Sequence, residues 1–327
     1  MPLNVDYLFR KRPGTFSIER VFESVVSALP SDIAVRRLQV PRETNGYLDT
    51  IPNVLWARRN CGDVVHITGD INYCAIGLGD RKVVLTIHDL CLLQNYSGWR
   101  RWLHRRLWFD MVLLRCSAVT CISMHTRDEL LASVNWRGDA EVIYNPVGGE
   151  FQFSEHEFNS DCPRILHFNV TPNKNLLGTI AALKGIRCTL RIIGKPTKEQ
   201  LALLAHNEID YSWAENLSSD EIAEEYRFCD LLCFPSTSEG FGMPIVEAQC
   251  TGRAVVTSDR PPMTEVAGQG ACFVNPDDIS SIRQGIERII HDKAFRQELI
   301  AIGGENAKRF AANEIAALYA QIYRSVE

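Results

Sequence analysis

The chain has 327 residues, 46% of them hydrophobic, which is enough for about two ordinary domains with their own cores. Its formal net charge of −5 excludes a dedicated nucleic-acid binder, whose affinity depends on neutralising phosphates. No run approaches the roughly 18 apolar residues of a membrane span, and residues 1–14 lack an apolar core, so the sequence predicts a cytoplasmic protein. The 11 dispersed cysteines are typical of free thiols in a reducing compartment.

Short β-rich runs alternate with amphipathic helical segments along the chain, which is the pattern of parallel sheets built from βαβ units. The strands predicted in the first half are 5–8, 33–38, 64–68, 83–87, 118–122 and 141–144. Helical spacing of apolar residues from Ile18 to Leu29 predicts a helix packed on this sheet. The loop before that helix contains a single glycine, Gly14, which is too few for the dinucleotide-binding motif.

The predicted strand at 83–87 ends in an ionisable pair, His88 and Asp89. Because ligands of parallel sheets bind beyond the carboxyl ends of strands, His88 is a candidate site residue, with Asp89 as its orienting neighbour. The alternative is a histidine with a purely structural role.

Residues 99–109 combine four arginines with three tryptophans. The arginines are Arg100, Arg101, Arg105 and Arg106. Such a segment suits peripheral contact with an anionic membrane at its inner, cytoplasmic face, or with a lipid phosphate. The alternative is an ordinary packed helix whose solvated face carries the arginines. Its buried stripe would then consist of Leu103, Leu107, Met111 and Leu114.

The alternation pauses in the polar segment 150–163, which is predicted to link a domain at 1–150 to a second domain at 151–308. It resumes with predicted strands at 165–168, 189–193, 209–213, 231–234, 254–257 and 271–274. From Ile279 onward the pattern predicts helices only. The apolar stripe of the last helix consists of Ile315, Leu318, Ile322 and Tyr323.

Two lysines that follow strands of the second half could bind a phosphate. Lys174 sits where a strand gives way to a helix, so its ammonium and the helix N-terminus could share one anion. Lys195 follows the next strand and could supply a further charge. The alternative for Lys195 is a solvated lysine.

The most informative motif places Glu239 and Glu247 around a glycine turn, Gly-Phe-Gly-Met-Pro, after a buried strand. Gly240 and Gly242 permit a sharp turn, and Pro244 suits the first position of a helix, so Glu247 is predicted in the first helical turn. Backbone N–H groups of such a turn suit phosphate, and carboxylates accept hydrogen bonds from sugar hydroxyls. The combination predicts a sugar-nucleotide site. The alternative is a capped loop with Glu247 as an ordinary first-turn acid.

Two glutamates separated by seven residues, with Gly-Phe-Gly-Met-Pro between them and Pro235-Ser236 upstream, resemble the signature of the family-four (GT4-like) retaining glycosyltransferases of the GT-B fold. The resemblance implies two Rossmann-like parallel-sheet domains facing a central cleft, with a terminal helix at 309–327 packing back on the first. It also implies transfer of a sugar from a nucleoside diphosphate sugar to the hydroxyl of a glycan or lipid-linked acceptor in polysaccharide biosynthesis. Neither a metal nor another cofactor is expected.

The resemblance further implies roles for individual residues. Glu239 and His88 would contact the donor sugar, Glu247 would hold the ribose hydroxyls, and Lys174 would stabilise the leaving diphosphate. The predicted donor-binding set, in which Lys195 is included for its position after a strand and not for the resemblance, is Gly14, Asn169, Lys174, Lys195, Glu239, Gly240, Phe241, Gly242, Met243 and Glu247. The chain departs from the family pattern at one point, because Phe168 and Asn169 occupy the positions of a Gly-Arg pair.

Two other functions are compatible with this architecture. A sugar-nucleotide 2-epimerase shares the GT-B fold, although the Gly-Phe-Gly-Met-Pro context favours a transferase. A catalytically silent partner of another transferase would account for the missing Gly-Arg pair and the reduced glycine loop.

Overall fold

Two six-stranded parallel sheets dominate the structure, a computed structural model that describes residues 2–11, 17–90, 93 and 96–327. These residues form two compact units. The first comprises residues up to Gly148 together with Ala311–Glu327, and the second is Gly149–Phe310. The predicted α/β fold class, with two Rossmann-like parallel-sheet units, is confirmed.

The first unit contains strands β1 (Leu3–Phe9), β2 (Ile33–Gln39), β3 (Val64–Ile67), β4 (Lys82–Ile87), β5 (Ala118–Cys121) and β6 (Glu141–Val142). They pair in parallel in the order β2-β1-β3-β4-β5-β6, so the direction of the strand order reverses between β1 and β3. The helices are α1 (Ser17–Ala28), α2 (Tyr47–Asn60), α3 (Gly98–Arg105), α4 (Met111–Leu113) and α5 (Met124–Ser133). A 3-10 helix spans Asn72–Gly77. The inner strands β3 and β4 are almost wholly buried, as expected for a sheet covered on both faces.

The buried stripe predicted for residues 99–114 is only partly correct, because Leu107 packs against the core of the first unit but Met111 and Leu114 are exposed. Met111 and Leu114 are 37% and 77% exposed, because α3 widens into a π-helix at Arg106–Asp110 that turns different side chains inward. The side chains buried instead are His104, Trp108, Phe109, Val112 and Leu113.

The second unit contains strands β7 (Arg164–Phe168), β8 (Thr189–Ile193), β9 (Asp210–Ala214), β10 (Leu231–Phe234), β11 (Ala254–Ser258) and β12 (Cys272–Val274). Their parallel order is β12-β11-β10-β7-β8-β9, which reverses direction between β7 and β10. The helices are α6 (Leu176–Leu183), α7 (Lys198–His206), α8 (Ser219–Phe228), α9 (Met243–Cys250), α10 (Met263–Ala267), α11 (Ile279–His291) and α12 (Lys293–Ala307). Single 3-10 turns occur at Pro172–Lys174 and Lys308–Phe310.

The polar segment 150–163, predicted as a link between domains, is bound along the second unit. The carboxylate of Asp230, before β10, accepts hydrogen bonds from Nε2 of His156 at 2.8 Å and from the backbone N–H groups of Asn159 and Arg164 at 2.8 and 2.7 Å. Buried carboxylates need such donors, and this one uses them to hold the segment in place.

The terminal helix α13 (Ala312–Val326) packs on the core of the first unit. Tyr323 donates or accepts hydrogen bonds with Tyr7 Oη at 2.5 Å and with Nδ1 of His66 at 2.6 Å. Leu318 was predicted on the apolar stripe but is 41% exposed, because the inward face is centred on Tyr319. Among the described residues, no helix combines the length and the apolarity needed to cross a membrane.

Candidate functional site

Lys174 and Glu239 lie together in the second unit. Lys174 ends the 3-10 turn that follows β7, and Glu239 lies in the loop that follows β10. These strands are neighbours at the reversal of the strand order, which is where ligands of open parallel sheets bind. Nζ of Lys174 donates to Oε1 of Glu239 over 2.6 Å, and the two side chains are only 16% and 11% exposed. The ammonium also lies 5.0 Å from the ring centroid of Phe234.

Two asparagines fix the loop that carries Glu239. Asn175, which has left-handed backbone (φ 59°) and caps α6, donates from Nδ2 to the carbonyl of Pro235 at 3.2 Å. Asn173 donates from Nδ2 to the carbonyl of Ser238 at 3.0 Å. The turn bearing Lys174 and the loop bearing Glu239 are therefore held as one piece.

Glu247 lies in the second turn of α9, not in the first turn as predicted. The helix begins at Met243, because Gly242 adopts φ 104° and serves as the N-cap, so Pro244 is the second helical residue. Oε2 of Glu247 accepts a hydrogen bond from Oη of Tyr226 at 2.7 Å. Burial raises the pKa of Tyr226 well above its ordinary value, so its hydroxyl stays protonated and can donate.

Tyr226, in α8, was missing from the sequence predictions. Its ring stacks on that of Phe168, with centroids 5.2 Å apart and planes 14° apart. Phe168 occupies a position where the family resemblance implies glycine, and here it supports the tyrosine that bonds Glu247. No local pattern marks Tyr226, because it lies 21 residues before the glutamate and in another helix.

Three other predicted donor-binding residues lie in different surroundings. Asn169 is exposed, has φ 66° and accepts the N–H of the next residue at 2.7 Å through Oδ1, so its side chain shapes its own turn. Lys195 is exposed beyond β8. The ring of Phe241 is buried and meets the ring of Phe310 edge-on at 5.7 Å, so this side chain belongs to the core of the second unit.

The glycine turn leads into the N-terminus of α9. Gly240 and Met243 are half-buried and Gly242 is buried, and no side chain caps the helix that begins there. The positive end of the helix dipole is therefore not offset by a capping oxygen. Gly14, also predicted to bind the donor, lies outside the described residues. Within the described ranges, no three metal-ligating side chains cluster.

His88 follows β4 in the first unit. Its Nε2 donates to the carbonyl oxygen of Thr68 over 2.7 Å, which leaves Nδ1 as an acceptor in the neutral ring. Gly69 makes room for this ring, because a Cβ at that position would lie 2.6 Å from Cδ2 of His88. Burial lowers the pKa of His88, so the ring is neutral at neutral pH. Asp89 is exposed beside it.

Comparison with known proteins matches both units. The family model described as Glycosyl transferases group 1 matches residues 150–308, and the one described as Glycosyltransferase Family 4 matches residues 4–148. The serotype-specific mannosyltransferase WbdA of Escherichia coli is 36% identical over 258 residues, covering 70% of this chain and 32% of WbdA. The O-antigen chain mannosyltransferase RfbU of Salmonella typhimurium is 25% identical over 221 residues, covering 64% of this chain and 61% of RfbU.

The chain thus spans less than two thirds of the length of the first relatives it matches. Among solved structures, that of HepE from Anabaena in complex with UDP and glucose aligns with a TM-score of 0.79 at 16% identity. The alignment covers 99% of this chain and 100% of HepE.

Proposed function

Because the chain belongs to the family-four glycosyltransferases of the GT-B fold, we propose that it transfers a hexose from a nucleoside diphosphate sugar to the hydroxyl of a glycan or lipid-linked acceptor, with retention of anomeric configuration. WbdA and RfbU are named mannosyltransferases, which supports mannose as the first hexose to test. The solved structure of HepE contains UDP, which supports a nucleoside diphosphate donor. The observation that carries the proposal is the Lys174–Glu239 pair where the strand order of the second sheet reverses.

Donor binding would rearrange this pair. A diphosphate oxygen competes with Glu239 for the ammonium of Lys174, since both are anionic acceptors of a charge-assisted hydrogen bond. Once the ammonium turns to the diphosphate, the carboxylate of Glu239 can accept hydrogen bonds from the sugar hydroxyls. Glu247, held by Tyr226, would accept hydrogen bonds from the ribose hydroxyls.

Departure of the diphosphate creates negative charge, and transition-state stabilisation requires positive groups at that point. The proposal assigns this role to Lys174 and to the uncapped N-terminus of α9 rather than to a metal ion. Transfer should therefore continue in the presence of EDTA. The acceptor hydroxyl would attack the anomeric carbon on the face from which the diphosphate leaves, and the leaving phosphate would assist this attack. The neutral ring of His88 would contact the sugar.

The direct test measures nucleotide binding by calorimetry and transfer by product analysis, with GDP-mannose, UDP-glucose and their free nucleotides as probes. Glu239→Gln should reduce transfer by about ten- to hundredfold, the worth of a hydrogen bond to a charged group, but should not weaken nucleotide binding, because it removes the anion that competes with the diphosphate for Lys174. Glu247→Gln should weaken nucleotide binding by a similar factor. Glu298→Gln, at an exposed glutamate of α12, is the matched control.

Full activity in Glu239→Gln would remove that residue from the site. Absence of binding heat with every nucleotide would overturn the transferase proposal and favour the catalytically silent partner. Epimerisation of a nucleotide sugar without an acceptor would favour the 2-epimerase.

We also propose peripheral contact with an anionic membrane, through the outward faces of α2 and α3. Each of five large apolar side chains there is at least 46% exposed. They are Leu48, Ile51 and Leu55 in α2 and Trp99 and Trp102 in α3. Arg100 and Arg101 of α3, and Arg106 directly after it, are also exposed. Tryptophan beside arginine is typical of segments that lie in a lipid headgroup layer.

One arginine of the predicted membrane set has another role. Nε of Arg105 lies 3.3 Å from Oδ2 of the buried Asp110, so this side chain neutralises a carboxylate inside the unit. The membrane test therefore compares sedimentation with phosphatidylglycerol vesicles for the wild-type protein and for Arg100→Gln/Arg101→Gln/Arg106→Gln. Equal binding by both proteins would remove the membrane proposal.

A further inference from the structure

Phe168 is the last residue of β7, at the edge of the second sheet where the strand order reverses. Side chains alternate between the two faces of a strand, so Phe168 lies on the same face as Arg164, which pairs with Glu225 of α8 at 2.8 Å. Its ring therefore lies on the face that α8 covers, at the edge where ligands of parallel sheets bind. The side chain is only half-buried there.

One face of this ring is covered by Tyr226. The two rings are stacked, with centroids 5.2 Å apart and planes 14° apart. Tyr226 is fully buried and is fixed in turn by the ring of Phe151, which meets it edge-on with centroids 5.7 Å apart. Because Tyr226 covers one face of Phe168 and the side chain is still half-buried, the accessible part of the ring lies on the side away from Tyr226.

The groups proposed to hold the donor lie in the same part of the unit. Oη of Tyr226 donates to Oε2 of Glu247 at 2.7 Å, so the carboxylate assigned to the ribose is attached to the stacked pair. Phe234, at the end of the neighbouring strand β10, has its ring centroid 5.0 Å from the ammonium of Lys174, which is assigned to the diphosphate. A nucleotide held by these two groups would pass close to Phe168.

The turn after Phe168 favours asparagine over arginine at the next position. Asn169 has left-handed backbone, with φ 66°, and asparagine is enriched in this conformation among residues other than glycine. Its backbone N–H donates to the carbonyl of Ile193 at 2.7 Å, which ties the turn to β8. The arginine that the family resemblance implies here is therefore replaced by a residue that shapes the turn and carries no charge.

Little free positive charge is left for the diphosphate among the predicted donor-binding residues. Nζ of Lys174 is paired with Glu239 at 2.6 Å, and a diphosphate has to compete with that carboxylate. Lys195 is exposed to water, which weakens its attraction for an anion. Nucleotide binding then depends more strongly on contacts with the nucleoside than it would with an arginine after β7.

An accessible aromatic face suits the nucleoside. Aromatic side chains bind nucleobases by stacking, and this contact tolerates any base because every base has a π-face. A purine offers a larger face than a pyrimidine, so it gains more from the contact. The glycine that the resemblance implies at this position would offer no such surface.

We propose that the nucleobase of the donor stacks on the side of Phe168 that Tyr226 leaves open, while Glu247 holds the ribose. This inference rests on the proposed transferase function, because it names a nucleotide-binding residue of that reaction. The chain then binds its donor through an aromatic contact in place of the charge of an arginine, and the contact favours a purine nucleotide.

Calorimetry with GDP, UDP and pyrophosphate tests the stacking. Phe168→Leu keeps an apolar contact with Tyr226 but removes the flat face, so GDP affinity should fall about tenfold or more and UDP affinity by less. Pyrophosphate, which has no base, should bind both proteins equally. Phe168→Tyr keeps the ring and should bind like the wild type. Phe153→Leu makes the same change at a phenylalanine of the second unit that is 68% exposed, and it should leave all three affinities unchanged.

Two further measurements separate stacking from an indirect effect on Glu247. Tyr226→Phe removes the hydroxyl but keeps the stacked ring, so it should weaken GDP and UDP by the same factor, whereas Phe168→Leu should weaken GDP more. Circular dichroism and thermal unfolding establish that the variants are folded. If Phe168→Leu is not, wild-type protein that is protonated only at its phenylalanine rings provides the test, because saturation of these rings should transfer NMR signal to H8 of GDP.

Equal affinities of wild type and Phe168→Leu for GDP and UDP would overturn the proposal, as would the absence of signal at H8. Tighter binding by Phe168→Leu would refute it by showing that the ring occupies space that the donor needs. An equal loss of affinity for pyrophosphate would also refute it, because the effect would then lie at the diphosphate. A chain that binds nucleotides and transfers sugar but fails these tests loses only the stacking contact, whereas a chain that binds no nucleotide loses the transferase function as well.

Discussion

Lowering the pH should destabilise the first unit through His66. This side chain is fully buried, with Nδ1 2.6 Å from Oη of Tyr323 and Nε2 2.8 Å from Oγ1 of Thr86. Rings of Tyr7 and Phe22 pack against it at 5.0 and 4.9 Å. Burial lowers the pKa of His66 to about 3. In the folded protein the ring therefore stays neutral at pH values at which a free histidine is already partly protonated.

The sign follows from proton binding. An unfolded chain binds a proton at His66 near pH 6.5, and the folded chain does not until about pH 3, so the free energy of unfolding falls as the pH falls below 6.5. Between pH 7 and pH 5 the loss from this one residue is about 2 kcal/mol. Stability is fully present above pH 7 and is lost progressively toward pH 3.

Urea unfolding at pH 7, 6 and 5 measures this effect in wild type, His66→Gln and the control His206→Gln, whose histidine is exposed. His66→Gln should be less stable at pH 7 but should lose about 2 kcal/mol less than the wild type on going to pH 5. Hydrogen exchange of peptides from β3 shows at which urea concentration the first unit unfolds. Identical pH dependence in wild type and His66→Gln would refute the reasoning, because it would mean that His66 protonates without unfolding.

Other substitutions test the site and its supports. Gly69→Ala should force the ring of His88 to move and strain a backbone at φ 142°, so it should lower the unfolding temperature and slow transfer, whereas nucleotide affinity by calorimetry should stay constant. Tyr226→Phe should weaken nucleotide binding about tenfold, since Glu247 loses the hydroxyl that donates a hydrogen bond to it at 2.7 Å. An unchanged nucleotide affinity would show that this hydrogen bond plays no part in binding the nucleotide. Asp230→Asn should destabilise the second unit by about 1.5–3 kcal/mol in urea, because an amide cannot accept from all three donors, and an unchanged midpoint would contradict that account.

The strands could be predicted from the sequence because inner parallel strands are continuous apolar runs. Each predicted strand corresponds to an observed one within two residues at either end, including the exposed edge strand β9. For the helices, it was harder to predict which side chains face the core. Leu114 and Leu318 have helical spacing yet are exposed, because a π-helical turn and a cluster of tyrosines decide which face turns inward.

The candidate site was predictable only where it follows strands. Lys174 and Glu239 lie in the segments that follow β7 and β10, so the neighbouring positions of these strands bring them close together. Tyr226 instead reaches Glu247 from the last turn of α8. Such contacts between distant segments leave no local pattern in the sequence.

The way the first unit is assembled has a consequence for its synthesis. Tyr7 and His66 are translated early, but their partners Tyr319 and Tyr323 leave the ribosome only after all of Gly149–Phe310 has been made. The domain that is translated first is therefore completed last. A nascent chain stalled before residue 311 would expose the uncovered aromatic face of its first sheet to chaperones or to aggregation.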